Sequence, residues 1–323
     1  MTPVKSGSSR RPGKPGNKPP AKKSSGSKKA GTDKSGGSSK NKVVPPAELD
    51  DGGCPEFGGL SSSMLLDLLE NGWWVPGGPI ELNADLSISE LKKVPIISNA
   101  RMLLLLLDAE GAFQAASDGA FPKELVLKLL SGFVTAGKWL LKSCQTRRSL
   151  SERDFPWIFQ LRYLCRFAGL IVFRKKAWTL SSLGRELLQD DRAGELFVLL
   201  FNTLFRQFTL SNMDRFPPVS QFQDSIPYIL FRMREIPEGK RVSLGLIPDL
   251  VLLPVVAGRL EGASPGEVIA GAVVYLRAIR PLEDFGLLKI VLPKVDEPDA
   301  WPSHVSRTLL FDRFIRFRKD LSA

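Results

Sequence analysis

Residues 161–188 read LRYLCRFAGLIVFRKKAWTLSSLGRELL, and the reading of this stretch governs the rest of the chain. With the residues just before it, FPWIFQLRYLCRFAGL places Phe159, Tyr163 and Phe167 at i, i+4 and i+8, the spacing of a helix face. Gly169 supplies a C-terminal stop. Next, Leu170 and Val172 alternate with Ile171 and Phe173, and Trp178 and Leu180 continue on a return strand, which predicts a short hairpin. Its tip is Arg174-Lys175-Lys176, and Ser181 is placed to cap a closing helix through LGRELL.

The preceding segments supply more helices. ISNARMLLLLLDAEG has Asn99 near its start and Gly111 past its end, so it reads as a helix between those signals. A short strand is expected at Phe113–Ala116. FPKELVLKLLSGF is a second helix with Pro122 in or near its first turn. Residues 135–154 read as an inserted helix followed by a polar loop.

The order helix, short strand, helix, helix, hairpin, helix resembles winged helix-turn-helix proteins. The features that carry the resemblance are Gly169-Leu170, the basic tip Arg174–Lys176 and the run from Thr179 to Leu188. The layout is also similar to that of uncharacterised bacterial plasmid-ORF-like proteins, which imply no activity. The winged-helix resemblance implies a third helix and a wing that meet DNA.

A weaker copy of the same order follows. QFQDSIPYILFRMREI and LGLIPDLVLLPVVAGRL read as two helices, and SPGEVIAGAVVYLRAIRPLEDFGLLKIVL as a long third helix ending at Gly286. Pro281 should kink that helix or start a new turn, because proline lacks the N–H that a helix interior needs. A hairpin is expected from Leu287–Leu292 to Val305–Thr308. By pattern, Thr179 matches Ser306, Ser181 matches Thr308, Leu183 matches Leu310, Leu187 matches Phe314 and Leu188 matches Ile315, which suggests a duplicated unit. Between the copies, Glu195–Leu210 is apolar almost all round and should be buried.

The expected architecture is therefore mainly α, with tandem winged-helix-like modules carrying short β-hairpin wings. The expected divisions are a disordered basic tail (1–44), an acidic extension (45–94), module 1 (95–190), a connecting helix (191–218) and module 2 (219–323). The tail and extension differ sharply in charge. The whole chain of 323 residues nets +11, but residues 1–44 hold ten Lys and two Arg against Asp33 alone. The remainder, with 33 basic and 33 acidic residues, is neutral. Without aromatic residues, the tail cannot bury enough apolar surface to offset its ordering entropy. Residues 45–91 hold nine acids and no Lys or Arg. They read as an extension packing Trp73 and its leucines on the body, with competition for the tail as a sharper alternative.

Charge within the neutral body is uneven. Residues 136–180 hold ten Lys or Arg against Glu152 and Asp154. Candidate nucleic-acid contacts are Arg147 and Arg148 before the third helix, Arg162 and Arg166 four apart upon it, and Arg174, Lys175 and Lys176 on the wing. In the tail, Lys22, Lys23, Lys28 and Lys29 would add sequence-independent phosphate affinity. Arg162 could equally lay its stem over the core. The second module, with Glu283, Asp284, Asp296, Glu297 and Asp299, reads as an interaction or dimerisation surface.

Other classes find little support. His304 is the only histidine, which removes most Ser/His/Asp, Cys/His and histidine–metal sites. Cys54, Cys144 and Cys165 are too scattered for a zinc ribbon or a disulfide scaffold. No catalytic, cofactor or metal residue is assigned and no enzyme activity is expected. The apolar runs are short and the N-terminus lacks a secretory pattern, so a cytoplasmic protein, with nucleoid association as a variant, is expected. The expected function is DNA binding, regulatory or accessory to a mobile element. The alternative is a scaffold for a protein partner or a second copy.

Overall fold

A computed structural model describes residues 52–134, 150–263, 268–291 and 303–322. The inserted helix expected near 135–149, with Arg147 and Arg148, lies outside these residues, as do the tail lysines Lys22, Lys23, Lys28 and Lys29.

Among the described residues the chain is mainly helical, with three small antiparallel sheets. The extension supplies α1 (Ser62–Asn71), β1 (Ile80–Leu82) and α2 (Ile88–Leu91). The first repeat follows with α3 (Pro95–Glu110), β2 (Phe113–Gln114), α4 (Lys123–Gly132), α5 (Pro156–Phe167), β3 (Ile171–Arg174), β4 (Ala177–Leu180) and α6 (Ser182–Leu187). The connecting helix α7 (Ala193–Asn202) runs into a π-helical turn at Thr203–Gln207. The second repeat contains α8 (Ser220–Asp224), α9 (Ile226–Met233), β5 (Val242–Ser243), α10 (Ile247–Val251) and α11 (Pro254–Ala263). It continues through α12 (Val268–Val274), a π-helical turn at Tyr275–Ile279, α13 (Arg280–Asp284), β6 (Leu288–Val291), β7 (His304–Arg307) and α14 (Leu309–Phe314). The last strand is β8 (Ile315–Phe317).

The two segments share a sheet pattern. The first repeat has strand order β2-β4-β3 and the second β5-β7-β6, so in each the short early strand pairs with the return strand of the hairpin. The closing hydrogen bonds also match. Ser181 N–H donates to Leu170 O (3.0 Å) and Thr308 N–H to Leu287 O (3.1 Å). Ser181 Oγ–H donates to Gly169 O (2.6 Å) and Thr308 Oγ1–H to Gly286 O (2.7 Å). Gly169 and Gly286 both have left-handed backbones, with φ of 72° and 67°, which a Cβ would disfavour. The pairing of Ser181 with Thr308 inferred from pattern is thus a pairing of hydrogen-bond roles.

Several local expectations are corrected. Asn99 does not begin α3. Pro95 occupies the first turn, and Asn99 is buried one turn in, accepting a hydrogen bond from Val134 N–H (3.1 Å). The segment LGLIPDLVLLPVVAGRL is two helices, interrupted at Leu252-Leu253 before Pro254. QFQDSIPYILFRMREI likewise breaks at Ser225. Pro281 is accommodated by the π-helical turn before it, which restarts the α register at Arg280 and puts proline in a first turn.

The two repeats and the extension occupy one compact unit, 48–323, with a continuous apolar core. The connecting helix explains why. Its Phe197 and Phe201 contact both Phe285 and Phe314 of the second repeat, at ring separations of 4.5–5.3 Å. Fully burying a phenylalanine contributes about 1.5–3 kcal/mol, so these rings bind the helix firmly to that repeat.

The extension is fastened to the C-terminal end rather than lying loosely on the body. Ile80 to Leu82 pairs with Phe317 to Ile315 as an antiparallel ribbon. Trp73 is buried and its indole N–H donates to Asn202 Oδ1 (2.6 Å) on the connecting helix. Three of its acids face C-terminal arginines: Asp67 with Arg318 (2.7 Å), Glu90 with Arg313 (2.5 Å) and Glu81 with Arg316 (3.8 Å).

Candidate nucleic-acid interface

The surface of interest is formed by α5 and the β3–β4 hairpin. Apolar residues on one side of α5, Ile158, Leu161, Leu164 and Cys165, face the core and set the helix's rotation. Burial pushes the Cys165 thiol up to about 12, so this cysteine is a core residue, not a reactive thiolate. The opposite side leaves Phe159, Arg166 and Phe167 exposed.

The hairpin pairs Arg174 with Ala177, leaving Lys175-Lys176 as a two-residue turn. Both lysines have positive φ, 49° and 63°. Two consecutive left-handed residues are what a type I′ hairpin turn requires, and asparagine or glycine is the usual choice. Each lysine here bears a steric cost of roughly 1 kcal/mol. Such strain at an exposed cationic tip is unnecessary for making the turn. Arg174, Lys175 and Lys176 are all exposed, and no ion pair engages them or Arg166 among the described residues.

Arg162 must be separated from this group. Its side chain is 7% exposed and pairs with Glu152, which is fully buried; Arg162 Nε lies 2.7 Å from Oε1 and 2.9 Å from Oε2. The same carboxylate accepts from Phe121 N–H (2.5 Å). The expected common face of Arg162 and Arg166 is therefore overturned: Arg162 is neutralised inside the fold and does not reach a phosphate. The signal available in sequence was Glu152, one of only two acids in the basic window.

Arg162 instead organises aromatic residues. Its guanidinium lies 4.6 Å from the Tyr163 ring, 5.2 Å from Trp178 and 5.4 Å from Phe159. Phe173 lies 4.9 Å from Trp178, and Arg166 stands 5.9 Å from the same indole. Along α5, Phe159 meets Tyr163 at 4.4 Å, Tyr163 meets Phe167 at 6.3 Å, and Phe167 meets Phe208 edge-on at 6.1 Å. Aromatic residues thus run along the helix from Phe159 to Phe208, and the buried Arg162 guanidinium and Trp178 link them to Phe173 of the hairpin. Sequence reading used the i, i+4, i+8 rings only as a helix signal and missed them as a surface.

The second repeat differs at the corresponding turn. Counting back from the matched Gly-Leu pairs, Glu283 and Asp284 stand where the first repeat has Arg166 and Phe167. Glu283 accepts from Ile290 N–H (2.9 Å), and burial raises its carboxyl above the ordinary range. Asp284 lies at a cavity of about 60 Å³ between α5, the Thr203–Gln207 turn and α13, and burial pushes its carboxyl up to about 6.

Among the described residues, no group of three or more His, Cys, Asp or Glu could hold a metal ion, and no helix is long and apolar enough to cross a membrane. Comparison of the chain with protein-family models, with curated proteins and with solved structures finds no match.

Proposed function

We propose that the chain is a DNA-binding protein built on two winged-helix-like repeats, in which the first repeat engages DNA. The observation that carries this reading is the wing tip, where Lys175 and Lys176 hold a left-handed turn beside Arg174 with no acidic partner among the described residues. The helix–strand–helix–helix–hairpin order and the shared strand order support the winged-helix reading. Phosphate would meet Arg166 and the tip, while the lysines of residues 1–44 would add affinity without sequence preference. With Glu283 and Asp284 at the corresponding turn, the second repeat is a packing partner and not a second phosphate site.

Binding of a labelled DNA duplex and of its separated strands should be measured over a salt series. Joint replacement of Arg166, Arg174, Lys175 and Lys176 by glutamine should weaken both and lower the salt slope by about 3–4. An unchanged slope would exclude this surface. A second reading, a protein-interaction scaffold, draws on the apolar groove of α3 around Met102 and Leu105, the latter 52% exposed. In that case Leu105→Glu would abolish a pulldown that survives high salt and nuclease.

A further inference from the structure

We infer that the aromatic face of the first repeat binds single-stranded DNA, with bases stacking on Phe159, Tyr163 and Phe167 and phosphates held by Arg166 and the wing tip. This rests on the DNA-binding reading above and narrows its substrate.

A helix that reads a duplex from the major groove needs donors and acceptors on its outer face. Here that face offers rings. Phe159 is 41% exposed and Phe167 54% exposed, and Tyr163 lies between them, half-buried against Arg162. The one outward arginine of the last two turns is Arg166, since Arg162 is held by Glu152. Base edges inside a duplex gain little from phenyl rings, whereas an unstacked base presents a π-face to each of them. Aromatic platforms beside a cationic track are the recurrent means of holding single strands without sequence preference.

The arrangement also has the required continuity. Residues four apart rise about 6 Å along the helix, so one ring is presented per turn. At one end Phe167 continues the series to Phe208; toward the wing, the buried Trp178 and Arg162 lie beneath the exposed Phe173 and tie it to the helix without adding to the stacking surface. The wing tip follows Phe173 directly along β3, so three cations sit on the hairpin next to Phe173, and Arg166 on the helix stands 5.9 Å from the Trp178 ring that Phe173 covers. Charge complementarity therefore selects a polyanion bearing aromatic rings over an apolar helix of another protein. Proteins that select RNA engage the 2′-hydroxyl with polar groups. The only polar side-chain atom of the three ladder residues is the Tyr163 hydroxyl, which favours DNA.

The test compares the full-length protein with Phe159→Ala/Phe167→Ala and with Arg174→Gln/Lys175→Gln/Lys176→Gln. Fluorescence anisotropy should be read with an oligothymidylate, an abasic strand of equal length, a duplex and an oligouridylate, at salt high enough to suppress the tail's contribution. The thymidylate is expected to bind more tightly than the other three. The aromatic pair of substitutions should weaken thymidylate binding about tenfold or more and leave the abasic strand and duplex unchanged. Phe159→Trp/Phe167→Trp, which restores stacking, should recover it, and matching thermal unfolding of the variants separates this from misfolding. Tighter binding of duplex, or no loss in the aromatic variant while the cation variant loses all four ligands, would overturn the single-strand inference and leave DNA binding standing; tighter binding of the oligouridylate would overturn the DNA assignment of both readings. If the cation variant also binds every ligand as the unaltered chain does, both readings fall.

Discussion

Glu152 and Arg162 form a buried ion pair in which both carboxylate oxygens face one guanidinium nitrogen, at 2.7 and 2.9 Å. This pair turns a basic residue of the third helix into a structural post for Phe121, Tyr163 and Trp178. Glu152→Ala should therefore cost about 3–5 kcal/mol, because it strands a buried cation and leaves the Phe121 N–H without its acceptor. Glu152→Leu combined with Arg162→Met should recover much of that loss. Urea unfolding of the single and double variants measures both; equal stability of Glu152→Ala and the unaltered protein would rule the pair out as a fold element.

The left-handed Lys175-Lys176 turn predicts opposite effects on stability and binding. Lys175→Asn/Lys176→Gly supplies the residues a type I′ turn favours and should stabilise the hairpin by about 1–2 kcal/mol. The same change removes two cations, so the salt slope of DNA binding should fall by about 2. Melting and anisotropy on one preparation test the trade-off.

Asp284 predicts a pH dependence. Burial raises its carboxyl from the ordinary 3.8 to about 6, with Glu283 adding to the rise and Arg280 opposing it. The folded state therefore holds this proton more tightly than the unfolded chain does. Stability from this group falls as pH rises from about 4 to about 6, and above that the full penalty, at most about 3 kcal/mol, is present. Asp284→Asn should raise stability at neutral pH and flatten that limb. Denaturant midpoints across the range decide it, and an unchanged slope would count against the assignment.

The matching closing contacts of Ser181 and Thr308 predict an asymmetry between the two segments. Ser181 donates to Gly169 O and also accepts from Gly184 N–H (2.8 Å), capping α6. Thr308 donates to Gly286 O but its side chain does not cap α14. Ser181→Ala should cost about 1–2 kcal/mol and Thr308→Val distinctly less. Thermal unfolding of the two variants gives the comparison.

Much of the first repeat is legible because its signals are local. The Gly169 stop, the alternation on either side of the tip and the Ser181 cap each depend on a few neighbouring residues, and α5, β3, β4 and α6 appear where they predict. Helix breaks in the second repeat were harder to place. Pro254 interrupts an apolar run with an unbroken helical pattern, and the π-helical turn before Pro281 has no local residue signature. Candidate site residues divided in the same way. The tip cations were readable as an excess of local charge, whereas the burial of Arg162 required knowing where Glu152 packs, ten residues away and beyond a helix start.

By itself, then, the sequence determined the helix-and-hairpin order, the neutrality of the body apart from its tail, and the basic hairpin tip, all properties of composition and short-range pattern. Tertiary structure alone decided that the acidic extension pairs with the C-terminal strand and that the connecting helix fuses both repeats into one core. It also decided which arginine faces water. The reason is physical: backbone conformation follows from nearby side chains, but the cost of burying a charge is set by a partner that only packing brings within 3 Å.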